Sequence, residues 1–404
     1  MPTLIERVRA RPGLAIASLA LGGFGIGVTE FVAMGLLTRI AQDVLPDLWS
    51  SSQDQATGTA GLAISAYALG VVVGAPLLAA LTARLNRRTV LLVLVAVIVV
   101  GTVASALAPT FELLLLARFL AALPHGAYFG IGMLVAARLL GPERRAQGVA
   151  FVILGLTIAN IVGVPLITAL GQATNWRIAY LAVAAVFVLS FIALFVTLPQ
   201  LPAEEGTSIR AELGALRNGR VWIAVAIGAI GFGGFFAVYS YVDPLVTITA
   251  GLPEAFTPFA LATIGIGMTV GNLIGGRVAD RGVIRAMFIG FAAFSVALLV
   301  LGLAASNPVG LFAGLFGIGA GGSFMIPAIQ TRLMDVGGDA QNLSAALNHS
   351  ALNVGNALGA ALGGIVIAAG WGAASTAWVG LVLCLPGVLL VWWSAARGRD
   401  PRVE

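Results

Sequence analysis

An all-α integral membrane protein of twelve transmembrane helices in two pseudo-symmetric six-helix halves is the fold class this sequence predicts. Three observations predict it. The 404 residues are 59% hydrophobic and only 10% charged, whereas ordinary soluble domains carry about a quarter charged residues. The apolar residues gather into runs long enough to cross a bilayer, roughly 20 residues each. The arginines, finally, fall almost wholly in alternate loops between those runs.

Taken in order between charged or proline-rich breaks, the runs lie at about 14–37, 60–83, 89–109, 112–138, 147–171, 176–198, 221–245, 257–279, 285–305, 308–332, 343–369 and 373–394. The short alternating segments of a β-barrel are missing. Arg7, Arg9 and Arg11 precede the first run like the charged end of a signal peptide. The run is too long for one and no small-residue cleavage site follows, so it should remain as a signal-anchor. Arg84, Arg87 and Arg88, then Arg138, Arg144 and Arg145, then Arg210, Arg217 and Arg220 mark one side. Arg277, Arg281, Arg285, Arg332, Arg397, Arg399 and Arg402 continue on that same side, against Arg39 and Arg177 on the other. The asymmetry places both termini in the cytoplasm.

Residues 200–220 form the longest polar interruption and divide the chain into halves 1–199 and 221–404. A short amphipathic helix is expected within it, around 209–216. An arginine-bearing loop follows the second run (ARLNRR, 83–88) and the eighth (GRVADRGVIR, 276–285), which suggests one six-helix unit repeated. Such a repeat makes a two-lobed transporter with its site at the lobe interface. Gly267, Gly271 and Gly275, like Gly355, Gly359 and Gly363, recur every four residues. Small ridges of this kind let helix backbones approach closely in lipid.

Composition also excludes functions. The chain has no lysine, so no phosphate-binding GxxxxGK[ST] loop exists to support an ATP-driven pump. The two histidines lack metal-site spacing, and GxSxG does not occur. No cofactor is implied. The net charge of +5 comes from arginine without a basic, aromatic-interleaved run, so nucleic acid is not a partner. The lone Cys384 permits no disulfide within the chain and reads as a packing residue.

Glu30 stands in the glycine-rich apolar stretch GGFGIGVTEFVAMGLL (22–37). A carboxylate there costs at least ~2.5 kcal/mol, so it should face a partner or a watery path unless it sits at the membrane edge. Arg118 is the second deep charge. Counted at 1.5 Å per residue, both lie ~10 Å below the same side. Mutual compensation follows, whether as a structural salt bridge or across a water-filled cavity. His125 and Phe129 share a helix face with Arg118, and His349, Asn353 and Asn356 make a polar stripe on the eleventh run. Either histidine could join a proton route or simply bond a neighbouring helix. Tyr239, Tyr241, Phe235 and Phe236 make the seventh run the best aromatic supply for an amphipathic substrate. Asp243 closes that run and reads as a solvated terminus, or else as an outer-mouth acid.

The stretches TEFVAMGLL (29–37), SAYALGVVVGAPLLAALTARL (65–85), ARFLAALPHGAYFG (117–130), GLTIANIVGVPLITALGQ (155–172) and ALNHSALNVGNALGA (346–360) carry a resemblance. Over essentially its whole length the chain resembles the major facilitator superfamily. Within it, the likeness is to the drug:proton antiporter branch and its arabinose/sugar-efflux and chloramphenicol-exporter-like group. The resemblance implies the major facilitator fold and a proton-coupled efflux carrier working by alternating access. It assigns proton coupling to Glu30 and Arg118. The family's gating loop G-x-L-A-D-R-x-G-R-R is kept as GRVADR with Asp280 and Arg281, while the first copy retains Arg84, Arg87 and Arg88 but has Ala79 and Ala83 where glycine and aspartate belong. The antiporter motif appears as Gly155, Gly163 and Pro165 without its closing glycine pair. The fourth-run motif has Ala122 in place of its glycine.

The resulting expectation is a non-enzymatic exporter of small molecules in the bacterial cytoplasmic membrane, a monomer whose partners are substrate, protons and lipid. Its substrate cavity is expected to include Met34, His125, Phe129, Asn160, Phe236, Tyr239, His349, Asn353 and Asn356. A proton-independent facilitator or uptake carrier of the same fold, and a non-transporting membrane sensor, are the competing readings.

Overall fold

The computed structural model describes residues 11–82, 85–200, 217–337 and 341–397, and among them it is helical throughout its spans. Twelve helices are long and apolar enough to cross a membrane: α1 (Pro12–Gly35), α2 (Gln53–Leu78), α3 (Arg87–Leu107), α4 (Phe111–Leu140), α5 (Gln147–Ala173), α6 (Trp176–Thr197), α7 (Gly219–Tyr239), α8 (Glu254–Ala279), α9 (Val283–Ala304), α10 (Pro308–Gly337), α11 (Leu347–Trp371) and α12 (Ser375–Ala396). The expected count is met. Two bounds move most: α2 begins seven residues earlier than its apolar run, because Ser52 caps a polar first turn through the N–H of Gln55, and α7 stops at Tyr239. The expected linker helix at 209–216 lies outside the described residues.

Breaks in the helices follow from sequence. Pro124 lacks a backbone N–H, and α4 is divided there into Phe111–Ala122 and Pro124–Leu140. In α5 a π turn, Ala159–Gly163, precedes Pro165, an arrangement that accommodates the same missing donor. A second π turn, Ile227–Gly231, interrupts α7.

The chain falls into two compact units: residues 1–36 with 66–207, and 37–65 with 208–404. Residues 37–65, which lead out of α1 and form the first turns of α2, thus pack with the later sequence. Within the first unit α1 packs on α5, and α3 on α6. Gly70 and Gly74 of α2 lie where an added Cβ would strike the backbone of Phe119 and Leu123 in α4. Within the second unit the corresponding pairs recur: α7 on α11, α8 on α10 and α9 on α12. Both glycine ridges act as expected. At Gly267, Gly271 and Gly275 a Cβ would meet carbonyls of α10, and at Gly355, Gly359 and Gly363 backbone atoms of α7. In lipid, where apolar burial gives no net drive, such close packing is what holds helices together.

The two arginines of the sparse side each have a structural duty. Arg177 gives Nη1 to the carbonyls of Ala106 and Ala108 at 2.8 and 2.7 Å, closing the end of α3, where a cation suits the exposed carbonyl dipoles. Arg39 forks onto Glu254, Nε to Oε1 at 2.6 Å and Nη2 to Oε2 at 2.8 Å.

Candidate functional site

Glu30 is 6% exposed within α1, and Arg118 is 1% exposed in α4. Both are shielded inside the first unit. Arg118 donates Nη1 to the carbonyl of Thr29 at 2.8 Å, the residue beside Glu30. Its guanidinium lies 4.2 Å from the ring centroid of Tyr67 and 5.6 Å from that of Tyr180. Two π faces and one carbonyl replace part of the water a buried cation has lost. Its Nε and Nη2 have no hydrogen-bond partner among the described residues. Arg118 is thus held beside Glu30 by the Thr29 carbonyl and by the ring of Tyr67.

From Tyr67 the polar path continues. Its hydroxyl lies 3.3 Å from Nδ1 of His125. His125 sits one residue past the Pro124 break, with its ring 5.5 Å from that of Phe129. Arg118, Tyr67 and His125 are therefore linked in a line that begins beside Glu30, and all four are nine-tenths buried or more. Sequence reasoning does not single out Tyr67 or Tyr180. The available signal is scarcity: the chain has five tyrosines, and Tyr67 stands alone in an apolar run. Met34 is fully buried in α1, and Asn160, 4% exposed, gives Nδ2 to the carbonyl of Leu156 at 3.1 Å at the π turn of α5.

In the second unit the expected residues separate into two groups. Phe236 and Tyr239 belong to an aromatic cluster on α7. Phe232 stacks on Phe235 at 5.0 Å, while Phe236 and Tyr239 set their edges against Phe235 at 5.1 and 5.2 Å. On α11, Asn353 donates Nδ2 to the carbonyl of His349 at 3.0 Å. The side-chain oxygens of Asn348 and Asn353 are buried with no partner among the described residues. Unmet acceptors of this kind need water or a ligand. His349 is half-buried, and Asn356 is 1% exposed.

Asp243 corrects the sequence reading. It is 1% exposed rather than a solvated terminus, because the chain turns at Ser240–Tyr241 and runs on beneath residues 37–44.

The sequence pattern of the Major Facilitator Superfamily matches residues 19–281 and again 244–404. The chain is 38% identical over 382 residues to the "Inner membrane transport protein YdhP" of Escherichia coli strain K12, covering 95% of this chain and 96% of that protein. It is 31% identical over 353 residues to the "Chloramphenicol resistance protein" of Streptomyces lividans, covering 86% and 87%. The chain belongs to the major facilitator superfamily. The crystal structure of a D-xylose-proton symporter matches over 95% of this chain and 96% of that one, with a TM-score of 0.76 at 16% identity. That likeness concerns the fold alone. Family membership makes the protein a multi-pass membrane transporter rather than an enzyme.

Other family motifs of this major facilitator can now be placed. Gly155 lies where a Cβ would strike the carbonyl of Ala20, and Gly163 where it would meet Phe24 and Val28, so both let α5 close on α1. Of the gating-loop residues, Arg84 lies outside the described set, as does Ala83. Arg87 reaches the carbonyl of Thr82 at 3.4 Å. Arg88 is buried, donating Nη2 to the carbonyl of Phe195 at 2.7 Å with its guanidinium 5.1 Å from that ring. It ties α3 to the end of α6. Asp280 and Arg281 are exposed at the end of α8, and neither side chain is hydrogen-bonded among the described residues.

Proposed function

We propose that the protein is a proton-driven exporter of small molecules, drug- or sugar-like, working by alternating access in the bacterial cytoplasmic membrane. Glu30 is the coupling acid and Arg118 its positioning partner. The observation that carries this reading is a carboxylate buried in an apolar helix, next to a backbone carbonyl engaged by a buried guanidinium. Such a pair is costly in a membrane, and a titratable acid there is the usual mark of a proton relay. The membrane and the direction are supported by what the relatives are called, an inner membrane transport protein and a chloramphenicol resistance protein. Arginine placement supports cytoplasmic termini.

His125 and Phe129 in the first unit, and Phe236, Tyr239, Asn353 and Asn356 in the second, are the groups we assign to substrate. The matching helix pairs support halves 1–199 and 221–404 as the repeated unit. Asp280, Arg281 and the Arg84–Arg88 loop are assigned to the cytoplasmic gate.

The deciding experiment is counterflow and pH-jump transport in proteoliposomes. Glu30→Gln keeps size and hydrogen-bonding reach but cannot titrate. It is expected to abolish export against a gradient. Uphill transport by Glu30→Gln at the native rate would sink the mechanism.

A further inference from the structure

A second buried carboxylate stands beyond the last residue of α7, apart from the Glu30 site. Asp243 accepts the backbone N–H of Thr38 on Oδ2 at 3.2 Å and the hydroxyl of Thr257 on Oδ1 at 3.2 Å. Thr38 is the second residue of the short helix Leu37–Val44, which turns Leu37, Ile40, Ala41 and Val44 inward. Gly35 and Leu36, just ahead of that helix, offer no side-chain acceptor. Asp243 therefore caps it from a distant part of the sequence, meeting one of the open N–H groups every helix start leaves. Two residues of the same surroundings, Arg39 of the short helix and Glu254 at the start of α8, form the fork already described.

We propose that Asp243 is a second proton site of the transport cycle, loaded from the side away from the arginine-bearing loops, and that its neutral form seats helix Leu37–Val44 on the rest of the second unit. Its place in the cycle rests on the antiport reading above; the binding of the proton does not. The charged groups around it are Glu254, which opposes ionisation, and Arg39, already engaged by Glu254. Asp43 lies on the exposed side of the short helix, and the Tyr241 hydroxyl is turned onto the carbonyl of Ala360 at 2.6 Å.

The sign follows from competing effects. Burial disfavours the ionised carboxylate, while the bonds from Thr38 and Thr257 favour it. Burial wins, and Asp243 is pushed up to about 6. Once the helix lifts, water reaches the carboxyl, which returns toward the ordinary value of about 3.9. The seated state thus holds the proton more tightly, so acid favours seating and the ionised form favours lifting. Both bonds survive protonation. The carbonyl oxygen keeps the Thr38 N–H, and the new O–H donates to Thr257 Oγ1, whose own hydrogen turns away. A proton taken from outside thereby holds the short helix in its seat.

The test is labelling of purified protein in proteoliposomes by an impermeant maleimide. Cys384 is replaced by alanine, and Ala41→Cys, at a fully buried position of the short helix, reports lifting. Rates are normalised to Gln42→Cys, which is exposed at every pH. With Asp243 present, the normalised rate is expected to fall roughly tenfold from about pH 7.5 to about pH 5. Asp243→Asn, shaped like the neutral acid, should be low and flat. Thr257→Val, which loses a donor to the ionised form, should move the midpoint to higher pH. Glu30→Gln should leave the response unchanged, and since no substrate or gradient is used, failure of the antiport reading would not disturb it. A native-like pH response in Asp243→Asn overturns the proposal, as does a flat response with Asp243 intact. A response lost with Glu30 and indifferent to Asp243 overturns it too.

Discussion

In the first unit a carboxylate on α1 and a guanidinium on α4 are buried, linked through the Thr29 carbonyl and the Tyr67 ring. The corresponding helices of the second unit, α7 and α10, carry nothing comparable. The buried residues of α7 are aliphatic, glycine, phenylalanine and Tyr239, and among the buried residues of α10 only Ser323 is polar. What the second unit has instead is neutral: the amides of Asn348, Asn353 and Asn356 on α11 and the aromatic cluster of α7. The same helix pairs therefore hold two chemistries. On these corresponding helices the first unit buries charge and the second buries amides and rings, its own buried acid, Asp243, standing beyond the end of α7.

The largest effect expected from breaking this difference is in the first unit. Arg118→Ala removes a buried cation that no neighbour can replace, and transport should fall at least ~100-fold, a barrier change of about 2.7 kcal/mol or more. Arg118→Lys should rescue little, since an ammonium cannot both lie flat on Tyr67 and reach the Thr29 carbonyl as a guanidinium does. Initial rates in proteoliposomes check both. Activity near the native level in Arg118→Lys would mean that only the charge matters.

A smaller effect is expected at the link from Arg118 to His125. Tyr67→Phe keeps the ring under Arg118 but removes the hydroxyl beside His125. Uphill transport should drop about tenfold, less than the ~100-fold or more typical of losing a group that itself transfers the proton. Downhill counterflow should be nearly preserved. Equal losses in both assays would make Tyr67 a packing residue.

In the second unit the expectation changes in kind. Asn353→Leu removes an amide whose oxygen is buried without a partner among the described residues, so the protein should tolerate it well. Apparent substrate affinity should weaken roughly fivefold, as for one hydrogen bond of about 1 kcal/mol. The pH dependence of transport should keep its native form. A shifted pH profile in Asn353→Leu would erase the division between the units.

Much of this architecture is legible in the order of the amino acids. A charge inside an apolar run is conspicuous because it is costly, so Glu30 and Arg118 stand out from composition alone. Glycines every four residues announce the α8–α10 and α7–α11 contacts for the same local reason. Tyr67 and Tyr180 stay hidden, because a tyrosine in an apolar helix looks ordinary until its neighbours are known. Asp243 misleads. Counting along the seventh run puts it at an exposed end, whereas residues 37–44, two hundred positions earlier, cover it. No periodicity records a contact of that range.

The smallest effects are expected where the two gating loops differ. Arg88 is buried and bonded to the Phe195 carbonyl, so Arg88→Ala should act on stability, by about 1.5–3 kcal/mol for a charged hydrogen bond. It should lower the unfolding temperature, and any fall in transport rate beyond the loss of folded protein measures its share in the gate. Asp280 is exposed and makes no side-chain bond among the described residues. Asp280→Asn should leave the unfolding temperature within about a degree, as surface changes usually cost less than 0.5 kcal/mol. If the carboxylate is used only in another state of the cycle, its loss appears in rate alone, roughly two- to threefold, which is well under 1 kcal/mol of barrier. Changes at Ala79 or Ala83, where the first loop lacks its acid, should do less. Thermal unfolding and transport measured on the same preparations separate the cases. A fall in unfolding temperature without a change in rate for Asp280→Asn would move that residue from the gate to the scaffold, and leave the first loop's arginines without a counterpart.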